Sequence, residues 1–215
     1  MRRHQSGFTL IEIAIVLVII GLLLGGILKG QELINSARVK NLAADFRNIP
    51  VFIYGYQDKY RSLPGDDSAA VAHVGAGATQ VGDGDGVIEG TWNNSAAGGS
   101  GAYDEAHLFW LHVRRAGLAP GSTTITDSDF PPLNALSGRV GVQSAIPYTG
   151  LRGSFFICST NITGNYAKQL DIQLDDGNTA TGSMMVGGTP TTTASSPTAT
   201  TAVLDSNSYT VCMGI

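Results

Sequence analysis

The sequence predicts an α+β fold, a long N-terminal helix followed by a head of strands and short helices. Three features predict it. An apolar run from Phe8 to Leu28 passes into a striped segment that reaches Tyr60. Short segments rich in β-branched, aromatic or apolar residues follow late in the chain, at Phe155-Phe156-Ile157-Cys158, Met184-Met185-Val186 and Tyr209-Thr210-Val211-Cys212, and read as strands. Two further helical patterns with glycine stops lie beyond the stem, one before the first of these strands and one between the first and the second.

The apolar run comes first. Its 21 residues span about 31 Å at the rise of an α-helix, matching the hydrocarbon core of a bilayer. Only Glu12 within it is ionisable. An acid in a span costs roughly 2.5–3.5 kcal/mol at the bilayer centre, less near its edge, and such residues usually mark a function. Arg2 and Arg3 precede the run and only Lys29 closes it, so the positive-inside bias keeps the N-terminus in the cytoplasm and exports the rest. A secretory signal would show a shorter apolar core and small residues at a cleavage site, which Gly25-Gly26 match poorly. A plain anchor explains the length and leaves Glu12 without a reason.

Gly7 followed by Phe8-Thr9-Leu10-Ile11-Glu12 resembles the prepilin processing site of type IV pilins and type II secretion pseudopilins. The resemblance implies a leader of residues 1–7, cleavage by prepilin peptidase after Gly7, methylation of the new N-terminal Phe8, and an assembly contact at Glu12 with the N-terminal amine of a neighbouring subunit. Physical chemistry agrees with that implication. Cleavage creates an ammonium at Phe8, four residues or about one turn from Glu12, and a neighbour shifted along a filament can turn two costly charges into one pair.

The helix continues past the span. From Leu42 apolar residues recur at Phe46, Ile49, Ile53, Tyr56 and Tyr60, with Lys40, Asp45, Arg47, Asp58 and Lys59 between them. A helix over residues 8–60 would be roughly 80 Å long, apolar all round in residues 8–28 and striped beyond. Pro50 is expected to kink it. Gly21, Gly25, Gly26 and Gly30 lower helix propensity by about 1 kcal/mol each relative to alanine; either they are tolerated, or they let neighbouring stems pack closely. In departure from many members of the family, no proline lies within the span.

Residues 61–215 remain for the head, whose abundant glycine, serine, threonine and alanine imply many loops and a limited core. In Tyr60 to Asp67, Pro64-Gly65 makes a turn and Asp66 or Asp67 can cap a short helix. Gly82-Asp83-Gly84-Asp85-Gly86, with Glu89 behind it, offers carboxylates of the kind Ca²⁺ prefers. The EF-hand register fails at Val87, and a turn with solvated acids is the competing reading. Asp104 opens a helix striped by Ala106, Phe109, Trp110 and Val113 and stopped by Gly117. His107 and His112 on it are five residues apart, about 140° around the helix, which argues against a metal pair. Asn165 to Gly177 reads as another helix, with Asp171, Asp175 and Asp176 on or near its polar side. Residues 187–201, rich in threonine, serine and proline, have the composition of a disordered or sugar-bearing loop.

Cys158 and Cys212 each end a strand-like segment, and an exported location permits a disulfide. Such a bridge would contribute about 4 kcal/mol in the chain-entropy model; two free thiols are the alternative. A disulfide bounding the C-terminal region also fits the family, as does a long helix packed on an antiparallel sheet.

The net charge is −4, and loss of Arg2 and Arg3 with a leader leaves 11 basic against 17 acidic residues, −6. A basic nucleic-acid surface is therefore not expected. No G-x-S-x-G elbow, H-E-x-x-H helix, Walker loop or dinucleotide fingerprint occurs in a fitting context, so the sequence argues against an enzyme. It is expected to be a structural subunit, a major or minor pilin that polymerises with itself or with pilin-like partners. Its other partners would be prepilin peptidase, an inner-membrane assembly platform and, before assembly, lipid. No cofactor is expected beyond the calcium candidate at Asp83, Asp85 and Glu89. The precursor would cross the bacterial inner membrane once and end in a surface pilus. The alternatives are a periplasm-spanning type II secretion pseudopilus and, in another class, a membrane-anchored exported ligand-binding protein.

Overall fold

The computed structural model describes residues 10–77, 79–93, 103–127, 130–190 and 194–215. The chain divides into two compact units, Met1–Arg38 and Val39–Ile215. Helix α1 (Leu10–Tyr60) contributes to both.

In the first unit every large apolar side chain from Leu10 to Ile34 is exposed. A helix apolar all round needs an apolar surrounding, and the described residues supply none. By length and composition this stretch can cross a membrane. A Cβ placed at Gly21, Gly25, Gly26 or Gly30 would meet nothing within 4 Å, so no packing among the described residues requires these glycines.

In the second unit the striped half of α1 buries Val39, Leu42, Ala43, Phe46, Ile49, Ile53 and Tyr56, on the face the periodicity marks. Each large apolar side chain so buried is worth roughly 1.5–3 kcal/mol relative to exposure. That packing lies on both sides of Pro50, which stands inside the continuous helix. The missing donor of Pro50 costs one backbone hydrogen bond, a loss smaller than the burial of Phe46, Ile49 and Ile53.

Four strands form one antiparallel sheet: β1 (Val140–Gln143), β2 (Phe156–Thr163), β3 (Met184–Gly187) and β4 (Ser208–Gly214), in the order β1-β2-β4-β3. Alternation along the strands separates two cores. Ile157, Met184, Val186 and Val211 join α1 in the main core, with Leu108, Phe109, Leu111 and Val113 from α3 (Glu105–Arg115) and Ala167 and Leu170 from α4 (Gly164–Leu174). Their neighbours Phe156, Cys158, Met185 and Cys212 form a second cluster with Trp92, Tyr148 and Leu151. Cys158 and Cys212 face one another in register across β2 and β4 and are joined by a disulfide.

Three local expectations are corrected. Helix α2 (Ala70–Val74) has Ala69 at its N-cap and no side-chain cap from that residue; Asp66 is drawn to the glycine-rich loop, and Asp67 binds the Ala69 N–H from two residues before. Helix α4 ends at Leu174 rather than near Gly177. In the threonine-rich stretch, Ser195 exchanges backbone hydrogen bonds with the segment at Pro147 and Thr149, and Thr198 N–H donates to Val186 O. Those described residues are held against the sheet despite their composition.

Candidate functional site

Two places carry the functional residues suggested by the sequence. At the N-terminus, Gly7 and Phe8 lie outside the described residues. Glu12 is exposed in the first turn of α1. An acid there complements the positive end of the helix dipole.

The second place is the acidic loop after α2. Asp67, wholly buried, accepts hydrogen bonds from the Tyr56 hydroxyl at 2.7 Å and from Ala69 N–H at 2.9 Å, and its Oδ2 lies 2.7 Å from His73 Nδ1. Burial alone would raise its pKa, but these bonds hold it below the ordinary value. The end of the stem is thereby tied to the turn that follows it.

Asp66 faces the glycine-rich loop. Its Oδ1 accepts the N–H groups of Gly84 and Asp85, and its Oδ2 accepts that of Gly86. Glu105, at the start of α3, accepts the N–H of Asp83 through Oε1 and that of Glu89 through Oε2. Two buried carboxylates therefore anchor the loop by five backbone donors. A Cβ at Gly82 would overlap Asp66 backbone and lie 2.6 Å from Glu105 Oε1, and Gly84 has φ of 83°, so the glycines are needed for close approach and turn shape.

Anchored this way, the loop presents its own acids outward. Asp83, Asp85 and Glu89 are exposed, and one carboxylate oxygen from each lies within 4.8 Å of the others. The separation suits the shell of a hard cation with ligands at 2.3–2.6 Å. Desolvation and then the charges of Asp83, Asp85 and Asp66 raise the pKa of Glu89. The trio is legible in the sequence because its members are close together, whereas Asp66 and Glu105 lie far from the loop in sequence.

The histidines of α3 are structural. His112 Nδ1 accepts Gly65 N–H at 2.9 Å, which assigns the proton to Nε2, 3.0 Å from Gln80 O. Burial lowers its pKa. His107 is buried between Tyr103 and Phe130, ring centroids 5.3 and 4.8 Å away.

Wholly and partly buried acids give the second unit an unusual pH response. Burial is the leading cause that raises Glu105 to about 7 and Asp45 to about 6, from ordinary values of 4.5 and 3.8. Across those windows the folded chain binds more protons than the unfolded chain, so these groups add stability as pH falls and remove it as pH rises. His112 acts oppositely below 6.5. Asp67, held low, loses its contribution only below 3.8. Asp171, which burial also raises to about 7, acts with Glu105 and Asp45, and the three acids outweigh one histidine. The expected result is a thermal midpoint of the full chain in detergent, with chelator present, that is higher at pH 5 than at pH 7.5. A lower midpoint at pH 5 would contradict this balance.

Residues 2–28 match the family model described as the Prokaryotic N-terminal methylation motif. This is the prepilin signature of type IV pilins and pseudopilins. No curated protein and no solved structure gives a significant match. The chain thus carries a prepilin signature on a pilin-like α+β layout. Together they fit a structural protein whose precursor is anchored in the inner membrane.

Proposed function

We propose that this chain is a pilin-like structural subunit that prepilin peptidase cuts after Gly7, that is methylated on Phe8, and that polymerises into a type IV pilus-like filament. The observation that carries this reading is the methylation motif at residues 2–28 set on an apolar helix whose large side chains are exposed among the described residues. Lipid covers residues 8–28 of the precursor, with the N-terminus in the cytoplasm, and stems of other subunits cover them after assembly. Glu12 joins the Phe8 amine of a neighbour. The open space around the four stem glycines supports close approach of neighbouring helices.

Residues 1–7 form the leader, 8–60 the stem and 61–215 the displayed head in this reading. The inner-membrane assembly platform receives the processed subunit. The same contacts serve a surface pilus or a periplasmic pseudopilus. A calcium ion at Asp83, Asp85 and Glu89 is a subsidiary proposal, supported by the convergence of their oxygens.

Gly7→Ala tests the processing step. Mass spectrometry of the wild-type chain is expected to show an N-terminal methylated Phe8, and the variant an intact precursor beginning at Met1. Wild-type protein that retains residues 1–7 would overturn the proposal and favour a plain membrane-anchored binding protein.

A further inference from the structure

A second acidic cluster lies where α4 runs into β3. Asp171 sits in the last turn of α4 and is wholly buried. Neither of its carboxylate oxygens has a hydrogen-bond partner. Native proteins rarely leave a buried carboxylate so, because nothing then replaces the water it loses. Its neighbours make matters worse: Asp175 and Asp176 are close enough that one oxygen from each of the three acids lies within 4.8 Å of the others.

The surrounding loop is already built. Asp175 Oδ1 accepts the Ser183 hydroxyl and Oδ2 accepts Met184 N–H, while Asp176 Oδ1 accepts Asn178 N–H and Oδ2 accepts the Thr181 hydroxyl. These bonds fix both side chains, and each oxygen keeps a further lone pair. The peptide dipoles at the C-terminal end of α4 add partial negative charge. Burial, then the charges of Asp175 and Asp176, raise Asp171 to about 7, and the Gly177 amide, outside hydrogen-bonding geometry, offsets this only in part.

We propose that Asp171, Asp175 and Asp176 bind a calcium ion that pairs with the orphaned Asp171 carboxylate and fastens the α4–β3 loop to the sheet. Three carboxylates and no nitrogen or sulfur donor select a hard cation. Ligand oxygens on opposite sides of Ca²⁺ lie about 4.6–5.2 Å apart, twice the usual bond length, and the cluster fits within that span. Mg²⁺ demands a tighter octahedron and binds more weakly here. The site differs from Asp83, Asp85 and Glu89, where every acid is exposed.

Calorimetric titration and thermal melts of the full processed chain in detergent test the assignment. Protein stripped with chelator is titrated with CaCl₂ and, separately, with MgCl₂. Calcium is expected to bind with a Kd of roughly 10⁻⁴–10⁻³ M or tighter, the range of extracellular modules, and to raise the melting midpoint. Asp171→Asn and the solvent-exposed Asp176→Asn are each expected to weaken this binding at least ten-fold. Asp83→Asn is expected to leave it in place. Should Asp171→Asn fail to fold, Asp176→Asn decides alone. No calcium-dependent shift at millimolar Ca²⁺, or a shift that survives Asp176→Asn, or one that only Asp83→Asn removes, overturns the assignment.

Discussion

Glu12→Val is expected to yield a subunit that is inserted and cleaved as usual and that assembles few or no filaments. Valine removes the only charge from the apolar run, so insertion becomes easier by up to about 3 kcal/mol on insertion scales. Assembly moves the other way. In the proposed contact the Phe8 ammonium of one subunit enters an apolar bundle opposite Glu12 of another, and removing one member of a buried pair costs about 3–5 kcal/mol. At 1.4 kcal/mol per factor of ten, each subunit addition weakens by at least a hundred-fold. The variant with the better membrane anchor is then the worse polymer former. Glu12→Gln separates charge from shape, since it keeps the length and polarity of the side chain. Filament yield in sheared fractions, set against the amount of processed subunit in the membrane, measures the effect.

Removal of the Cys158–Cys212 bridge by the double substitution to alanine is expected to lower the stability of the head by about 4 kcal/mol. The two residues are 54 apart in sequence, and closing a loop of that length restricts the unfolded chain by this amount. Small domains have only about 5–15 kcal/mol in total. Both cysteines are wholly buried with Trp92, Tyr148, Leu151, Phe156 and Met185, so alanines also loosen the second core. Thermal or urea melts of the full chain in detergent check this. A change below about 1 kcal/mol would show that strand pairing alone sets the β2–β4 register.

The stem was readable because a single chain segment carries its own evidence. The span, Glu12 and the stripe at Leu42, Phe46, Ile49, Ile53 and Tyr56 are local patterns, and the buried face follows them. Strands β2, β3 and β4 were readable from concentrated apolar residues. Strand β1 was missed: its four residues, Val140–Gln143, include Gly141 and are too short to show alternation. Its burial comes from pairing with β2. In α3 the sequence shows a stripe, whereas Glu105 to Arg114 are all buried, since loops close over the side that periodicity leaves polar.

The acidic loop shows the same division. Asp83, Asp85 and Glu89 are close in sequence and were found there. Asp66 and Glu105 reach the loop from 16 to 22 residues away, and no spacing rule connects them to it. Asp171 was visible only as one acid on a polar helix side. Its burial without a partner arises from the packing of α4 on β2, β3 and β4 and has no signature in the chain.

The most direct measurement images filaments sheared from cells and identifies the N-terminus of this chain within them by mass spectrometry. The expected result is filaments containing the chain from a methylated Phe8 onward, and none from cells carrying Glu12→Val. Filaments that lack the chain, or that form normally with Glu12→Val, would contradict its role as a subunit held by that acid.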